Sequence, residues 1–571
     1  MPKPADKEKN LAAIQQRAVA FAATTIETSN VGMGAEAIHH QPVVFLVPFP
    51  AQGHVTPMLH LARALAAHGV AATVAVPDFI HRRIVVSSSS SSAAGGGRAA
   101  AGGAEYGDVE LASIPSGILL PEEHAAADPP GFAAIVHAME HHMPAQLERM
   151  LLTTSSSSVR GGRVACLVVD VLASWAVPVA ERWGVPAVGF WPAMLASYRA
   201  VAAIPELISK GIISDDSGAP VPSNQHGSDD GQEQVIRGLG ILPAHLQLST
   251  NELPWFVGDS ATQKSRFAFW LQTLQRARGF RSVLVNSFPG EAGSAAAYAD
   301  DDEGQLPGQG LRVLPVGPFV AGSNVVERAK GDGGFVVTAS NDPQQQQLPC
   351  SKNPSMWQAD STCIGWLDAQ PAASVVYVSF GSWVGPIGHE KIQELALGLE
   401  ATGRPFLWAL KKLPSWRAGL PGGYAERVAG RGKLVEWAPQ EDVLRHDAIG
   451  CYLTHCGWNS TVEAIHHGVR MLCYPVSGDQ FINCAYITRV WEIGLKLSSA
   501  SRDGVRDCIE KIMDGAEGTH LQAQMNTLRR SIVTGEARRL AHENVKSFVN
   551  EIKRSKLPVI DADLQYFVGS L

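Results

Sequence analysis

The sequence carries little charge of either sign. Only 18% of its 571 residues are charged, which is below the quarter that is usual for soluble domains. Lys and Arg number 47 against 54 Asp and Glu, so the formal net charge is -7. A nucleic-acid-binding protein needs an excess of positive charge, and no overall excess is present. We therefore expect no nucleic-acid partner.

Cysteine is scarce and long apolar runs are missing. The eight cysteines are irregularly spaced, which argues against a disulfide framework and favours a reducing compartment. The longest mostly apolar stretch, Val164 to Ala180, is interrupted by Asp170 and is shorter than the ~20 residues of a membrane helix. Met1 to Asn10 has no apolar segment of the kind that begins a secretion signal. We expect a cytoplasmic protein without an integral membrane span.

Apolar runs that alternate with helical patterns are abundant. Pro42 to Pro50 (PVVFLVPFP) is typical of a strand buried on both faces of a parallel sheet. After a loop that contains His54, Thr56 and Pro57 predict the cap and first residue of a helix. Val70 to Pro77 predicts the next strand. This order of strand, helix and strand predicts a doubly wound α/β sheet.

The same pattern starts again in the second half. Ser374 to Phe380 predicts a strand, and the turn Gly381-Ser382 and an apolar helix face follow it. Because 571 residues are too many for one ordinary core, we predict two α/β domains. The predicted boundaries are a disordered extension at 1–40, a first domain at 41–320 with a Ser, Ala and Gly-rich insertion at 87–104, a linker at 321–360, a second domain at 361–540, and a C-terminal helix and tail at 541–571 that is a candidate to pack back on the first domain.

The most informative segment runs from Trp437 to Gln480. Its centre, THCGWNS at 454–460, predicts a strand end, a glycine turn and a helix that begins near Asn459. Free N–H groups and the positive end of the helix dipole make such a turn an anion site, and polar side chains add further donors. The alternative is a structural capping box formed by Ser460 and Glu463.

This segment closely resembles the plant signature box of the family 1 UDP-glycosyltransferases. The resemblance extends through PFPAQGHVTPMLHLA, LVNSF, VGPF and SVVYVSFGS, but it does not cover Met1 to His40 or the low-complexity insertions. It implies the GT-B fold, an α/β architecture in which two Rossmann-like domains with parallel sheets face each other across a cleft. The signature positions include Trp437, Pro439, Gln440, Leu444, His446, Gly450, 454–460, Glu463, Gly468, Val469, Pro475, Asp479 and Gln480.

The resemblance implies a UDP-sugar site in the second domain. Trp437 would stack on uracil, and Gln440 and Glu463 would hold the nucleoside, Glu463 through the ribose hydroxyls. Asp479 and Gln480 would bind the sugar hydroxyls. The residues that would hold the diphosphate are His455, Asn459, Ser460 and Ser382. The full predicted donor-binding set is Ser382, Trp437, Ala438, Gln440, His455, Trp458, Asn459, Ser460, Glu463, Asp479 and Gln480, with no metal ligand.

Two residues of the first half are candidates for catalysis. His54 follows the first strand and Asp170 ends another, so both fall at the sheet edge where open α/β folds bind ligands. A lone His before a helix is more often structural than catalytic, but the matching Asp170 and the signature box favour catalysis. By the resemblance, His54 is the general base, and Asp170 orients it through a hydrogen bond.

Three other interpretations have less support. Asn459-Ser460-Thr461 is formally a glycosylation sequon, but it lies in the predicted phosphate turn. A GxGxxG-like stretch at 95–100 lies inside the insertion, so an NAD-dependent enzyme is not favoured. A zinc site is also disfavoured, because its candidates lack finger spacing and fall on positions that the signature box explains. These candidates are His446, Cys451, His455 and Cys456.

The predicted function is that of a metal-independent, inverting UDP-glycosyltransferase. It would transfer glucose from UDP-glucose to a hydroxyl or carboxyl group of a small lipophilic acceptor, such as a plant secondary metabolite or hormone. No cofactor is expected, because the UDP-sugar is a cosubstrate. The alternative is a noncatalytic nucleotide-sugar-binding protein of the same fold, against which the presence of both His54 and Asp170 argues.

Two positions depart from the family pattern. Pro192 stands where many relatives have a Thr or Ser that touches the sugar, and proline offers neither a hydroxyl nor an N–H. Arg470 stands where proline is usual, so the approach to the next strand is expected to differ. Loops around Leu119, Phe190 and Trp255 are predicted to build the acceptor pocket, whose shape, like the oligomeric state, the sequence leaves open.

Overall fold

The computed structural model describes most of the chain after residue 41. The described residues are 42–92, 109–118, 130–156, 164–221, 235–236, 248–249, 252–257, 260–292, 311–320, 325–329, 335–339, 356–382, 384–497 and 499–554. Several predictions lie outside them: the extension 1–40, the insertion from 93 onward with its GxGxxG-like stretch, Leu119, much of the linker 321–360, and the tail after 554.

The described strands form two larger parallel sheets and two antiparallel pairs. They are β1 Val43–Val47, β2 Ala71–Pro77, β3 Val109–Ile114, β4 Val164–Asp170, β5 Ala187–Trp191, β6 Val235–Ile236, β7 Leu248–Ser249, β8 Ser282–Val285, β9 Arg312–Pro315, β10 Val325–Ala329, β11 Phe335–Ala339, β12 Val375–Ser379, β13 Phe406–Ala409, β14 Gly432–Val435, β15 Ile449–Thr454, β16 Met471–Cys473 and β17 Gly494–Lys496. The pairs are β6 with β7 and β10 with β11.

The first sheet has seven strands in the order β3-β2-β1-β4-β5-β8-β9. β1 and β4 are neighbours, with Val47 opposite Val169, and every residue of both strands is buried. The chain order reverses between these two strands, and open α/β sheets bind ligands beside such a reversal. His54 therefore follows one of the two strands that flank this reversal, and Asp170 is the last residue of the other.

The second sheet has six strands in the order β14-β13-β12-β15-β16-β17. Its order reverses between β12 and β15, where Ser379 is opposite Thr454. Ser382 and the signature turn lie just after these two strand ends. The predicted pair of doubly wound parallel sheets is thus confirmed.

Helices connect the strands in both halves. They are Gln52–Ala66, Asp78–Ser92, Phe132–His141, Met143–Ser156, Val177–Arg182, Leu195–Ala202, Ile204–Ser209, Ser260–Ala277, Thr362–Leu367, His389–Ala401, Pro414–Arg417, Tyr424–Val428, Gln440–Arg445, Trp458–His467, Gln480–Ala485, Arg502–Asp514, Ala516–Val533 and Glu536–Arg554. A 3-10 segment, Val171–Ala176, and a π-helical segment, Tyr486–Val490, complete them.

The first helix begins earlier than the sequence predicts. It starts at Gln52, and Pro57, predicted as its first residue, lies inside it. The carbonyl of Ala51 accepts the N–H groups of His54 and Val55, both at 2.9 Å, so a turn is already closed before the predicted cap. Pro57 is the sixth residue of this helix, past its first turn, so the helix lacks one interior N–H there. His54 consequently lies in the first helical turn and not in a loop.

The described cysteines and helices bear on the disulfide and membrane-span expectations. None of the seven described cysteines, all of them buried, forms a disulfide. In the part of the chain that the structure describes, no helix has the length and apolar character needed to cross a bilayer.

The last helix, Glu536–Arg554, joins the two domains. Ala537 near its start belongs to the core of the second domain. Asn544 donates from Nδ2 to the carbonyl of Pro315, at the end of β9, at 2.8 Å. The apolar residues that it adds to the core of the first domain are Val545, Phe548, Val549 and Ile552.

We expect Phe548→Ala to lower the free energy of unfolding by about 3 kcal/mol, because removal of a buried ring leaves a cavity. Urea denaturation followed by tryptophan fluorescence measures the loss. Asn550→Ala, at an exposed position of the same helix, is the control and should change stability by less than about 0.5 kcal/mol. Equal effects of the two variants would contradict a core role for the helix.

Candidate active site

The predicted base and its partner lie side by side where β1 and β4 end. His54 Nδ1 is 2.7 Å from Asp170 Oδ2. Asp170 is fully buried, and its other oxygen accepts the N–H of Leu172 at 2.9 Å. Because a carboxylate only accepts hydrogen bonds, Nδ1 carries the proton and the lone pair lies on Nε2. The pair is arranged to take up a proton at Nε2, with Asp170 stabilising the resulting imidazolium.

An aromatic row extends from His54 into the first domain. The ring centroids of His54 and Phe49 are 5.2 Å apart, and those of Phe49 and Phe132 are 6.5 Å apart. Phe269 continues the row, 5.4 Å from Phe132 in an edge-on arrangement. We did not identify this row from the sequence, because its members come from three separated segments. It gives the base an apolar neighbourhood.

Two residues predicted near the acceptor pocket are themselves core residues. Phe190 lies in β5 and is fully buried. Trp255 is also buried, and its indole N–H donates to the carbonyl of Gly218 at 3.0 Å. Pro192, the first departure from the family pattern, accepts a hydrogen bond from Asn286 Nδ2 at 3.3 Å through its carbonyl. These side chains shape the scaffold of the first domain.

The predicted anion site lies at the amino end of helix Trp458–His467. β15 ends at Thr454, and Cys456 adopts a left-handed conformation, with φ at 65°, in the turn that follows. Gly457 caps the helix without a side-chain hydrogen bond. The first N–H groups of the helix are therefore not occupied by a side-chain cap, which suits an anion.

The alternative capping box is not formed. Because the helix begins at Trp458, Ser460 is inside it and cannot serve as its cap. Ser460 Oγ instead accepts a hydrogen bond from Gln440 Nε2 at 3.0 Å, and Glu463 Oε2 accepts one from the same nitrogen at 2.8 Å. The structural interpretation of this motif was wrong.

His455 is buried against two glycines of the turns. A Cβ atom at Gly381 would lie 2.8 Å from its ring, and one at Gly457 would lie 2.4 Å from Nε2, so only glycine leaves room for the imidazole. Burial lowers the pKa of His455 to about 4, a hydrogen bond to the Ser379 backbone acts in the opposite direction, and the charge of Lys411 lowers the pKa further. His455 is thus a neutral hydrogen-bonding group near neutral pH. Its Nδ1 is buried without a partner among the described residues.

Lys411 is a cation that we did not identify from the sequence. Its Nζ donates to the carbonyls of Ser382 and Val384, both at 2.9 Å, and lies 5.3 Å from the centre of the Trp416 ring. It holds the turn after β12 and acts electrostatically on His455. No local motif marks this residue, because its role depends on two carbonyls more than 25 residues earlier.

Gln440 is the centre of a hydrogen-bond network. Its Oε1 accepts from the hydroxyls of Tyr377 and Tyr452, each at 3.1 Å. Its Nε2 donates to both Ser460 and Glu463. Because both amide hydrogens are used within the protein, Gln440 positions the neighbouring site residues, and its predicted direct contact with a nucleoside would require one of these bonds to break.

Glu463 and Glu441 are two carboxyl groups that titrate near neutrality. Burial raises the pKa of Glu463 to about 7, and the hydrogen bond from Gln440 acts in the opposite direction. Burial raises the pKa of Glu441 to about 8, and the charge of Glu463 raises it further, whereas Arg445 lowers it. The charge at the predicted ribose site therefore depends on pH in the neutral range.

Trp437 and Ala438 lie three and two residues before Gln440 in the sequence. Ala438 is buried, and the half-buried Trp437 stacks on Trp357 with a centroid distance of 5.6 Å and an interplanar angle of 27°. The guanidinium of Arg83, from the first domain, lies 5.5 Å from the Trp357 ring centre. A base bound at Trp437 would extend this stack. Trp357 was not among the predicted site residues.

The predicted sugar-binding residues begin helix Gln480–Ala485. Gln480 Oε1 accepts the N–H groups of Val476 and Ser477 at 2.9 and 3.1 Å, which shapes the loop and leaves the amide nitrogen as a donor. Burial raises the pKa of Asp479, while the hydrogen bond from Asn483 and the charge of His54 lower it. Asp479 thus lies within electrostatic reach of the base in the other domain.

Trp458 and Asn459 contact the first domain. Trp458 is buried and donates from its indole N–H to the carbonyl of Asn286 at 2.6 Å. Asn459 Nδ2 donates to the carbonyl of Gly53 at 3.1 Å. The Trp458 side chain, predicted in the donor set, therefore serves the interface between domains, and Asn459 lies between the two halves of the site.

Arg470 replaces the usual proline without interrupting the sheet. β16 begins at the next residue and pairs in parallel with β15. The guanidinium of Arg470 donates to the carbonyls of Ile512 at 2.8 Å, Gly518 at 3.1 Å and Gly450 at 3.2 Å. The departure adds a tie between the sheet and the helices behind it.

The four residues considered for zinc do not gather in one place. Within the described ranges, the one group of three or more His, Cys, Asp or Glu residues with ligand atoms within 4.8 Å of one another is Cys456, Cys473 and Cys484. All three are buried in the core of the second domain. Three thiols are one ligand short of a closed tetrahedral zinc site.

Sequence comparison finds relatives along most of the chain. Residues 359–525 match the family described as UDP-glucoronosyl and UDP-glucosyl transferase, and residues 40–187 match a glycosyltransferase N-terminal domain. UDP-glycosyltransferase 82A1 of Arabidopsis thaliana is 40% identical over 524 residues, which cover 90% of this chain and 99% of that protein. DIMBOA UDP-glucosyltransferase BX8 of Zea mays is 33% identical, with 85% and 93% covered.

Solved structures share the fold. Os79 from O. sativa in complex with UDP is 24% identical, with a TM-score of 0.65, and the match covers 89% of this chain and all of that one. UGT2 of Phytolacca americana, complexed with UDP-2fluoro-glucose and pterostilbene, is 21% identical, with a TM-score of 0.63 and 90% and 100% covered. With the two parallel sheets, these neighbours confirm the predicted GT-B fold.

We expect Gln440→Ala to lower the free energy of unfolding by about 2 kcal/mol, because partly buried hydroxyl and carboxyl groups lose their partner. Urea denaturation measures the change. Gln370→Ala is the matched control, since that amide makes a single 3.3 Å bond to the Trp366 carbonyl, and it should cost less than about 0.5 kcal/mol. A stable Gln440→Ala protein would argue against a positioning network.

Proposed function

Because the chain belongs to the plant family 1 UDP-glycosyltransferases, and is thus a glycosyltransferase, we propose that it is an inverting glucosyltransferase. It transfers glucose from UDP-glucose to a hydroxyl or carboxyl group of a small lipophilic acceptor. The observation that carries this proposal is the pair of His54 Nδ1 and Asp170 Oδ2, 2.7 Å apart, within electrostatic reach of Asp479 in the second domain.

On the donor side, the second domain holds the nucleotide. Uracil stacks on Trp437, and the ribose hydroxyls donate to the carboxylate of Glu463, which Gln440 holds in place. The diphosphate binds at the amino end of helix Trp458–His467, with Ser382 and the neutral His455 as further partners. Asp479 and the free amide nitrogen of Gln480 bind the glucose hydroxyls.

The transfer is a single displacement at the anomeric carbon. His54 Nε2 takes the proton of the acceptor hydroxyl as that oxygen attacks from the face opposite UDP. The new carbon–oxygen bond forms while the bond to the diphosphate breaks, and the electron pair leaves with UDP. Asp170 stabilises the imidazolium that results. Because the acceptor attacks from the face opposite UDP, an α-linked donor gives a β-glycoside.

The leaving diphosphate is stabilised by the protein. Backbone N–H groups at the helix start and the helix dipole lie where negative charge develops. Lys411 adds a positive charge close enough to act on His455. These groups take the role that a metal ion has in other transferases, so we propose turnover without a metal or other cofactor.

An apolar acceptor suits the surroundings of the base. The aromatic row of Phe49, Phe132 and Phe269 begins at the His54 ring. Relatives are named DIMBOA UDP-glucosyltransferase and 7-deoxyloganetic acid glucosyltransferase, and a solved neighbour is complexed with pterostilbene. We propose an acceptor of this broad class, a small hydroxylated or carboxylated plant metabolite, used in the cytoplasm.

We expect the purified protein to glucosylate at least one member of a panel of phenolic, terpenoid and hormone-like acceptors supplied with UDP-glucose. Loss of the base in His54→Ala should lower turnover by at least about 100-fold, and Asp170→Asn should lower it by about tenfold or more, because the base is lost or misoriented. Chromatography with mass detection of the glucosides measures both.

His68→Ala is the control for this experiment. His68 also belongs to the first βα unit, but its Nδ1 contacts the backbone carbonyl of Ala64 at 2.9 Å, so turnover should be unchanged. Equal turnover of wild type and His54→Ala would refute the assigned base. Binding of UDP-glucose without transfer to any acceptor would favour the noncatalytic binding protein.

We expect the affinity for UDP-glucose to fall about tenfold between pH 8 and pH 6. The raised pKa of Glu463, about 7, means that the carboxyl is ionised above pH 7 and protonated below it. Two ribose hydroxyls need acceptor oxygens, so binding weakens as the carboxylate is lost. Isothermal titration of UDP-glucose measures the dissociation constant independently of turnover by His54.

Glu463→Gln is the control for the pH series, since an amide of the same size does not titrate. Its dissociation constant should be weaker than that of wild type at pH 8 and nearly constant down to pH 6. The same pH profile in wild type and Glu463→Gln would contradict the assignment of Glu463 to the ribose.

A further inference from the structure

One hydrogen bond from the second domain and one from the predicted linker reach the first turn of helix Gln52–Ala66. Asn459 Nδ2 donates to the carbonyl of Gly53 at 3.1 Å, and the backbone N–H of Met356 donates to Gln52 Oε1 at 2.9 Å. The two acceptors are the residues immediately before His54. The second domain thus contacts the backbone that carries the base.

The Gly53 carbonyl is available because of the residue four positions later. In an α-helix a carbonyl accepts the N–H of the residue at i+4, which for Gly53 is Pro57. Proline has no N–H, and its ring crowds the carbonyl at i−4. Pro57 is buried inside this helix. The helix therefore lacks the hydrogen bond that would otherwise occupy Gly53.

We propose that Pro57 is a positioning residue for catalysis. Because Pro57 has no N–H, the Gly53 carbonyl stays free to accept the hydrogen bond from Asn459. We call this hydrogen bond the Gly53 latch; it attaches the donor-binding domain to the residue immediately before the base. The inference rests on the proposed role of His54 and assigns Pro57 a function in joining the two halves of the site. Asn459 then links the amino end of the diphosphate-binding helix to the turn that carries the base.

A purely structural role for Pro57 gives a different expectation. Alanine is strongly favoured over proline inside a helix, so without a functional role Pro57 would only destabilise this helix. In Pro57→Ala, the new N–H can bond to the Gly53 carbonyl and compete with Asn459. The substitution would therefore complete the helix and weaken the latch.

The test is a double-mutant cycle with Pro57→Ala, Asn459→Ala and the double variant. We expect Pro57→Ala to lower kcat about tenfold with an unchanged KM for the acceptor, because the base is displaced relative to the donor. Once the N–H that Pro57→Ala introduces occupies the Gly53 carbonyl, Asn459→Ala should cost less in kcat than it does in wild type. Pro205→Ala, at an exposed helix start, is the control and should leave kcat unchanged.

Thermal unfolding supplies a readout that does not need turnover. Asn459→Ala should lower Tm by about 2 °C in wild type, through loss of the interdomain hydrogen bond, and by much less in the Pro57→Ala background. The latch would be refuted if, in the double variant, the Tm shifts of Pro57→Ala and Asn459→Ala added and their fold losses in kcat multiplied. Absence of turnover in wild type with the Tm coupling intact would instead refute the proposed function and leave the latch standing.

Discussion

Both large sheets are entirely parallel, and this constraint decides where chemistry can occur. All strands of a parallel sheet end at the same edge, so residues that follow strand ends are brought together even when they are far apart in sequence. In the first sheet this edge holds His54, after β1, and Asp170, at the end of β4. In the second it holds Ser382, after β12, and His455, after β15. Each half-site is therefore a consequence of strand direction.

The chemistry at these edges uses local polarity in place of net charge. The chain is mildly acidic, and His455, which we propose as a phosphate-binding group, is neutral because burial lowers its pKa. The remaining donors are backbone N–H groups, hydroxyls and amides, with Lys411 as a fixed cation behind the turn. Such an arrangement suits a diphosphate that must be held and then released, because few formal charges have to be separated.

The contacts between the domains are as specific as the sites themselves. Trp458 and Trp491 donate their indole N–H groups to the carbonyls of Asn286 and Glu291, which lie on the segment after β8. The last helix adds its apolar face to the first-domain core. The position of His54 relative to the proposed donor site thus depends on hydrogen bonds made by Trp458 and Asn459, at the start of the helix that we propose binds the diphosphate. The same short segment is therefore proposed both to bind the diphosphate and to fix the position of the two domains.

Local sequence alone was enough for the parallel sheets, for placing His54 and Asp170 where two strands end, and for the strand, glycine turn and helix of the signature segment, because apolar runs and glycine turns act over a few residues. Residue roles within the second domain came from family resemblance. The tertiary structure decided which partner each polar group takes. Gln440 bonds to Tyr377, which is 63 residues away, and Asn459 bonds to Gly53, which is 406 residues away. The predicted capping box is absent because the helix begins at Trp458, which places Ser460 and Glu463 inside it, where both accept from Gln440.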